Sequence, residues 1–589
     1  MFLVRFRTED FPPDDEVTLR SGVDGWEVDV AGGYEDGAWV FRLDEARYGP
    51  VLDFKFVLDR TTFMDGPNLT VRPFAGGDAE FAGGEVRFSP MAAVVTENGE
   101  VQQRFFRPNH DGAHVYDVIV VGSGLGGGLL ADQLCDAGAD VLVLEAGSLL
   151  FPTHVGNLPR RLRIGRFDKN VWGLFPEFSF ANYVNVQNSF FGGAQAFNLG
   201  GRSLFWGGLI PRMGAWELAD WPAPVRDYLG TTGYRLAEDN LNRNGPLGSA
   251  YQEDTKRELR RLLPDFDHLD APVAAQYEGY TPMAVPGGMF STADLLTEDR
   301  LVVDPGRPVP TVNLNHAVQQ VLTDGSRAVG VRCYDLLNRR QRDYRADAVV
   351  LCAGTIESAK IALLSGLADP NDVIGRGITD HPIWFTHFSL PAGSPHAATD
   401  ASAKVWSRHR DTAVDRHPYN LVVELGADFN QGRYVDPDNL ARHRQEKADA
   451  TLAEIVFLFN APLVETNRLR VVGPSYLPVE VDVQPYPLPA GVLDEARDVA
   501  ATVLGGLGAQ PIENETLDLV PAKLGGVAHE VGTLRMSGTG SGVVDADLKF
   551  HAYDNLYACD NSVFASSPAA NPSLTLAALS LRLAQHLTK

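Results

Sequence analysis

The sequence is short of cysteine, of positive charge and of long apolar runs, and each shortage closes off a class of function. Four cysteines occur in 589 residues, Cys135, Cys333, Cys352 and Cys559. They lie far apart inside apolar segments and show no CxxC spacing. Buried free thiols are therefore expected, with no metal site and no disulfide framework. Lys and Arg number 51 against 76 Asp and Glu, a formal net charge of -25. That balance argues against nucleic acid as a partner, because phosphate neutralisation needs the opposite sign. It argues equally against docking on an anionic membrane. No uninterrupted apolar stretch reaches the roughly 18 residues of a membrane helix. The opening residues, MFLVRFRTED, lack the apolar core and small-residue cleavage site of a secretory leader, so a cytoplasmic location is the expectation.

What is present is an ordinary globular balance, 44% hydrophobic and 22% charged, over a length that exceeds what one core usually supports. Two or three folding units are expected. In residues 1–110, alternating runs such as AWVFRL (38–43) and DFKFVLD (53–59) are broken by Gly, Pro and Asp, which predicts a small antiparallel β module. The stretch from Trp26 through Trp39 to Gly66-Pro67-Asn68 resembles the starch-binding type of β-sandwich. Its tryptophans are read either as core residues or as sugar-stacking platforms. From Tyr116 onward strands and helices alternate, predicting an α/β region. Residues 386–515 mix charged loops with β-like runs such as AEIVFLF (453–459), which predicts a second, sheet-based domain, with 429–450 as a long exposed loop. The chain is expected to return afterwards to the first domain.

The run YDVIVV (116–121) is of the buried-strand type and leads straight into Gly122-Ser123-Gly124-Leu125-Gly126-Gly127-Gly128, then into the helix-like LLADQLCDAGA. Gly122 suits a tight turn, Gly124 lets backbone approach a pyrophosphate, and Gly127 lets helix and strand pack closely. The helix start offers free N–H groups and partial positive charge to phosphate. A second strand, ADVLVL (139–144), ends in Glu145, whose carboxylate can accept both hydroxyls of a ribose. Together these predict a dinucleotide site, and Glu145-Ala146-Gly147 favours FAD over a nicotinamide cofactor. Two later segments read as support for it. Residues 311–314, 317–321 (with Val318) and 328–331 suggest a β-meander turning at Asp324-Gly325. The run AVVLCAGT (348–355) suggests a buried strand ending in a small-residue turn at Ala353, where a ligand can lie against backbone.

These motifs, with three more, resemble the glucose–methanol–choline (GMC) oxidoreductase family from Tyr116 to the C-terminus. The others are Gly200-Gly201-Arg202-Ser203-Leu204-Phe205-Trp206-Gly207-Gly208, the run Ile374-Gly375-Arg376-Gly377-Ile378-Thr379-Asp380-His381-Pro382, and a C-terminal block. That block runs from His529-Glu530-Val531-Gly532-Thr533 through Asp560 to Asn571-Pro572-Ser573-Leu574-Thr575. The resemblance implies an α/β fold with a discontinuous Rossmann-like FAD domain (115–215, 300–385 and 525–589). It also implies an α+β substrate domain (216–299 and 386–524), after the N-terminal β module. It places the flavin among Arg202, Ser203, Trp206, Gly207, Asp560, Pro572 and Thr575 as well as the fingerprint residues. His529 and Asn571 are implied as the catalytic pair, and His381 as structural.

Chemistry supports that pair. Oxidising an alcohol through a flavin needs a hydride acceptor and a base for the hydroxyl proton. An unperturbed imidazole titrates near pH 6.5, so His529 suits the second task. Asn571 can hydrogen-bond the developing alkoxide without competing for its proton. Pro572 suits the first turn of the apolar helix that follows, whose start would face the flavin edge where reduced flavin is anionic. In pyranose-oxidase-like relatives the position of Phe205 carries a histidine bonded covalently to flavin. A phenyl ring cannot make that bond, so non-covalent FAD is expected. The Gly-Gly-Arg-Ser and Trp-Gly-Gly pattern resembles the bacterial sugar-oxidising branch, which points to a pyranose or glycoside substrate. Oxygen, a quinone or a dye all remain open as electron acceptor. A non-sugar alcohol, a cyanohydrin-type lyase of the same fold and a flavoprotein acting chiefly as a binding partner stay open as rival functions, as does the oligomeric state.

Overall fold

A computed structural model describes residues 1–72, 78–83, 86–88, 106–158, 178–189, 191–243, 249–276, 288–301, 308–398, 401–413, 416–426, 437–447 and 450–589. Its central sheet is built on strand Val115–Val121, paired in parallel with Val141–Leu144 on one side and with the second half of Arg340–Leu351 on the other. Thr311–Asn313 extends it beyond Val141–Leu144, and Leu556–Ala558 joins the end of Arg340–Leu351, both again in parallel. Parallel strands are covered on both faces, which is why these segments read as continuous Val, Ile and Leu rather than alternating. Helices Leu125–Asp136 and Ser573–Leu587 pack on one another, and both contribute to the largest hydrophobic core. The mixed α/β class is as expected.

Pairing departs from the sequence reading in one place. Thr311–Asn313 is not part of a meander. The meander is His316–Asp324, Arg327–Asp335 and the first half of Arg340–Leu351, on the opposite side of the sheet. Asn315, in the left-handed region at φ 59, turns the chain between the two. A three-residue apolar strand carries no local record of which neighbour it will join.

The second large sheet is antiparallel throughout, in the order Phe266–Asp270, Ala403–His409, Tyr419–Leu425, Thr451–Phe459, Ile383–Leu390, Val520–Pro521. Alternation sorts its faces. Ala453, Ile455 and Phe457 share a core with helices Ala250–Leu262 and Val492–Leu507. Glu454, Val456 and Leu458 point the other way and line a cavity.

Several expected boundaries move. Strand Ile383–Leu390 lies wholly in this second sheet, so a cut after 385 would split it. Helices Ala223–Tyr228 and Tyr234–Asn240 bury Val225, Tyr234 and Ala237 in the first core, as Thr292–Leu301 does with Ala293 and Leu296. Leu469, Val479 and Val481 do the same. The resemblance implied the substrate domain for these segments, whereas their apolar faces are buried in the first core. Within 429–450 a helix, Pro437–Glu446, interrupts the expected loop, and residues 429–436 and 448–449 lie outside the described residues.

At the N-terminus, sheets built on Phe2–Arg7 with Ala38–Leu43 and on Val17–Ser21 with Leu52–Leu58 close over one aromatic core. The rings of Phe6 and Phe56 stack across it at 5.0 Å. Trp39 is 5% exposed and donates its indole N–H to the Phe11 carbonyl at 2.9 Å, so it is a core residue and not a sugar platform. Trp26 is half-buried, its ring lying over Gly22. The Tyr476 hydroxyl reaches the Asp10 carboxylate at 3.2 Å, tying these sheets to the rest of the chain. All four cysteines are buried and free, and among the described residues no helix is long and apolar enough to cross a membrane.

Helix and sheet pack closely at Gly127. A Cβ there would run into the Gly122 carbonyl and come 2.9 Å from Cys352 Cβ. Gly127→Ala should therefore destabilise by about 1–3 kcal/mol, read as a lower thermal midpoint. An unchanged midpoint would mean that helix and strand can separate here without loss.

Candidate active site

Three helices begin at one cavity of about 380 Å³. Leu125–Asp136 starts after Gly124, Gly354–Leu364 after Ala353, and Ser573–Leu587 after Pro572, and none has a side-chain cap. Their unsatisfied N–H groups and partial positive charges converge on the same space, which suits an anionic ligand. Gly122 adopts φ +98°, where a Cβ would sit 2.6 Å from the Cys352 carbonyl. At Gly124 an added Cβ would meet nothing within 4 Å, so backbone is open there to a close ligand.

Glu145 ends strand Val141–Leu144 and is buried, which raises its carboxyl above the usual range. It accepts from the Ser123 N–H at 3.1 Å, the Ser123 hydroxyl at 2.5 Å and the Gly147 N–H at 2.9 Å. Asp560 is also buried and raised by desolvation. Its oxygens accept from the Gly354 N–H at 2.8 Å, Ser358 at 2.5 Å and the Ser562 N–H at 2.8 Å. It thus holds a helix start in place at the cavity wall.

The glycine-rich loop crosses above the fingerprint. Gly200 and Gly201 are left-handed, and Gly201–Leu204 forms a single 3-10 turn. The Ser203 hydroxyl donates to the Gly200 carbonyl at 2.6 Å and accepts from the Thr292 N–H at 3.1 Å. The Trp206 indole donates to the Phe290 carbonyl at 2.8 Å, and Arg202 pairs with Glu530 at 2.7 Å. Phe205 is 1% exposed and stacks on Phe178 at 6.2 Å.

At the other side of the cavity stand His529 and Asn571, with Asn571 Nδ2 3.3 Å from His529 Nε2. The residue before the histidine, Ala528, sits at φ 62, a conformation an alanine adopts only when its surroundings impose it. Behind His529, its Nδ1 lies 3.0 Å from Nε2 of His381. His381 is fully buried, and desolvation lowers its pKa to about 4. The neighbouring Asp380 carboxyl is pushed up to about 7, by burial first and then by Glu530.

Of the residues expected at the site, Gly122, Gly124, Glu145, Arg202, Ser203, Trp206, Gly207, Val318, Ala353, Asp560, Pro572, His529 and Asn571 all line this cavity. Gly127 and Thr575 do not. Gly127 faces the central sheet, and the Thr575 hydroxyl is turned away, 3.1 Å from that of Tyr234. Thr575 lies in the first turn of Ser573–Leu587, where a step of one residue swings a side chain by about 100°.

The floor was not anticipated. It is the free face of the antiparallel sheet, and Lys404, Glu424, Glu454 and His387 form one cross-strand row on it. Lys404 pairs with Glu424 at 2.8 Å and His387 with Glu454 at 3.2 Å. Lys404, Glu424 and Glu454 line the cavity. The next row, Trp406, Val422, Val456 and Phe385, is apolar. Glu454 keeps step with Val456 and Leu458 in AEIVFLF, and a charge on an otherwise apolar face was the available signal.

Family models described as GMC oxidoreductase match residues 309–383 and 493–580. The chain thus carries two segments similar to the N- and C-terminal parts of GMC oxidoreductases. It is an oxidoreductase of a FAD-dependent family. Paromamine 6'-oxidase of Streptomyces fradiae is 26% identical over 531 residues, covering 81% of this chain and 92% of that protein. The C-glycoside 3-oxidase of Microbacterium trichothecenolyticum is 24% identical, over 51% of this chain and 57% of its own. The crystal structure of pyridoxine 4-oxidase from Mesorbium loti shares the fold at 18% identity and a TM-score of 0.52, covering 80% of this chain and 99% of that one.

FAD fits what the residues offer. Open backbone at Gly124, three uncapped helix starts and a buried carboxylate at Glu145 match a pyrophosphate and a ribose. Asn571 Oδ1, buried and without a partner among the described residues, marks a further polar ligand position beside the start of Ser573–Leu587. Glu145→Ala should weaken FAD binding on the order of 30-fold or more, as the loss of two charge-assisted hydrogen bonds would, measured by recovery of flavin fluorescence on dilution. Retention of full affinity would remove Glu145 from the binding site.

Proposed function

We propose that the protein oxidises a CH–OH group, most readily on a pyranose or glycoside, to a carbonyl, with His529 as the base. The observation that carries this is the pair His529 and Asn571 at 3.3 Å, set between the dinucleotide end of the cavity and the sheet floor. An alcohol oxygen within reach of both would give its proton to His529 Nε2 while Asn571 Nδ2 holds the oxygen as charge develops on it. Bound FAD supplies the two-electron acceptor for the hydride of the carbinol carbon. The start of Ser573–Leu587, beside Asn571, adds partial positive charge on the same side.

The floor supports a polyhydroxylated substrate over an apolar one. A ring lying on Val422, Val456 and Phe385 would present its far hydroxyls to Lys404, Glu424 and Glu454. The similar proteins named for a paromamine and a C-glycoside oxidase favour the same class. Phe205, enclosed against Phe178, offers no nucleophile to the flavin, and we read the FAD as non-covalent.

Mixing the yellow protein anaerobically with a panel of pyranoses, glycosides and amino-glycosides should bleach the flavin band with at least one of them. No bleaching with any alcohol would sink the dehydrogenation reading. His529→Ala should slow that bleaching about 10²-fold or more while FAD stays bound, and an unchanged rate would clear His529 of the role. After acid precipitation the colour should be found in the supernatant. A yellow pellet would show a covalent link.

A further inference from the structure

His381 was expected to be structural, yet its ring meets that of His529 at 4.9 Å between centroids and 74° between planes. The hydrogen bonds around it can be satisfied in only one way. Its Nδ1 lies 2.7 Å from the carbonyl oxygen of Pro568, and a carbonyl only accepts, so the His381 proton is on Nδ1. The neutral ring then has a lone pair at Nε2, which can only accept from His529 Nδ1 at 3.0 Å. His529 is thereby obliged to carry its own proton on Nδ1, and the lone pair appears at Nε2, on the side of Asn571 and the cavity.

We infer that His381 is a positioning residue that sets the tautomer of His529, keeping Nε2 unprotonated towards the substrate. The inference rests on His529 being the base. His381 itself does not line the cavity and touches no substrate space. Its burial keeps it neutral well below the working range of His529, so the arrangement does not reverse with ordinary changes of pH. Asp380 Oδ1 is buried with no hydrogen-bond partner among the described residues and lies 3.9 Å from His381 Nε2. Its other oxygen accepts from the Gly525 N–H at 2.8 Å. The remaining charges facing this group are Glu530 and its ion-pair partner Arg202, which offset one another.

When the hydroxyl O–H bond breaks, its proton goes to His529 Nε2 and the imidazolium keeps donating through Nδ1 to His381. No proton needs to move through His381.

Two substitutions at 381 separate this role from a packing role. Glutamine can donate its amide N–H to the Pro568 carbonyl and present its carbonyl oxygen to His529, whereas methionine fills similar space with no acceptor of comparable strength. In anaerobic stopped-flow with the FAD-loaded enzyme and the sugar found to bleach it, His381→Met should reduce flavin on the order of 10- to 100-fold more slowly. The acid limb of its rate–pH profile should move to lower pH, because the imidazolium has lost its acceptor. His381→Gln should recover most of the rate and return the limb towards its original position. Bound flavin content and thermal midpoint are measured for each, and a comparison is made only between variants that keep both. Wild-type rate and profile in His381→Met, or equal slowing in both variants with flavin retained, would overturn the inference. His529→Ala in the same assay tells the two readings apart. If it is slow while His381→Met is not, only the role of His381 falls. If it is fast, the base assignment falls with it.

Discussion

Backbone meeting backbone at the carboxyl ends of three parallel strands is the constraint on which the rest of the site depends. Gly122 lies against the Cys352 carbonyl, Gly126 against that of Cys559 and Gly127 against that of Gly122 itself, with no room for a Cβ at any of them. These contacts bring the start of Leu125–Asp136 down onto the sheet, and with it come the two other uncapped helix starts. The starts of Leu125–Asp136 and Ser573–Leu587 are left without side-chain caps, so their N–H groups are available to a ligand. The Asp560 carboxylate then locks the second helix start to the strand end that precedes it. A loosening of a few tenths of an ångström in this region would misalign every donor that faces the cavity.

The other half of the site is a sheet used as a floor. One face of it is buried under helices and needs no polar group, and the other carries charge arranged in a row. Two glutamates directly opposite each other repel unless partners flank them, and the Lys404 ammonium and the His387 ring stand at the two ends of the row. Ionic groups so placed keep their direction because the strands are rigid. His529, the proposed base, gains its orientation differently, from a strained Ala528 and a second, buried imidazole behind it.

Legibility in the sequence followed the range of the interaction. The fingerprint and Glu145 span about one βαβ turn, and their chemistry was readable from spacing, glycine conformation and strand pattern. His529 and Asn571 have little local signal of their own, and most of what pointed to them was a resemblance to a family. The error at Thr311–Asn313 arose because apolar runs specify burial but not partner. Thr575 was misplaced by one step of a helix. The resemblance implies a structural His381, and its proximity to His529 is a contact across 148 residues that no local pattern records.

By itself the sequence determined the α/β class, the position of the glycine-rich strand-to-helix turn and the net negative charge, because each follows from local periodicity or from composition. Only the tertiary structure decided which residues share the cavity. It brought Lys404, Glu424 and Glu454 under the histidine, sent Gly127 and Thr575 into the core, and fixed which nitrogen of His529 is bare. Those outcomes depend on pairing and hydrogen-bond direction between distant segments, which no window of sequence records.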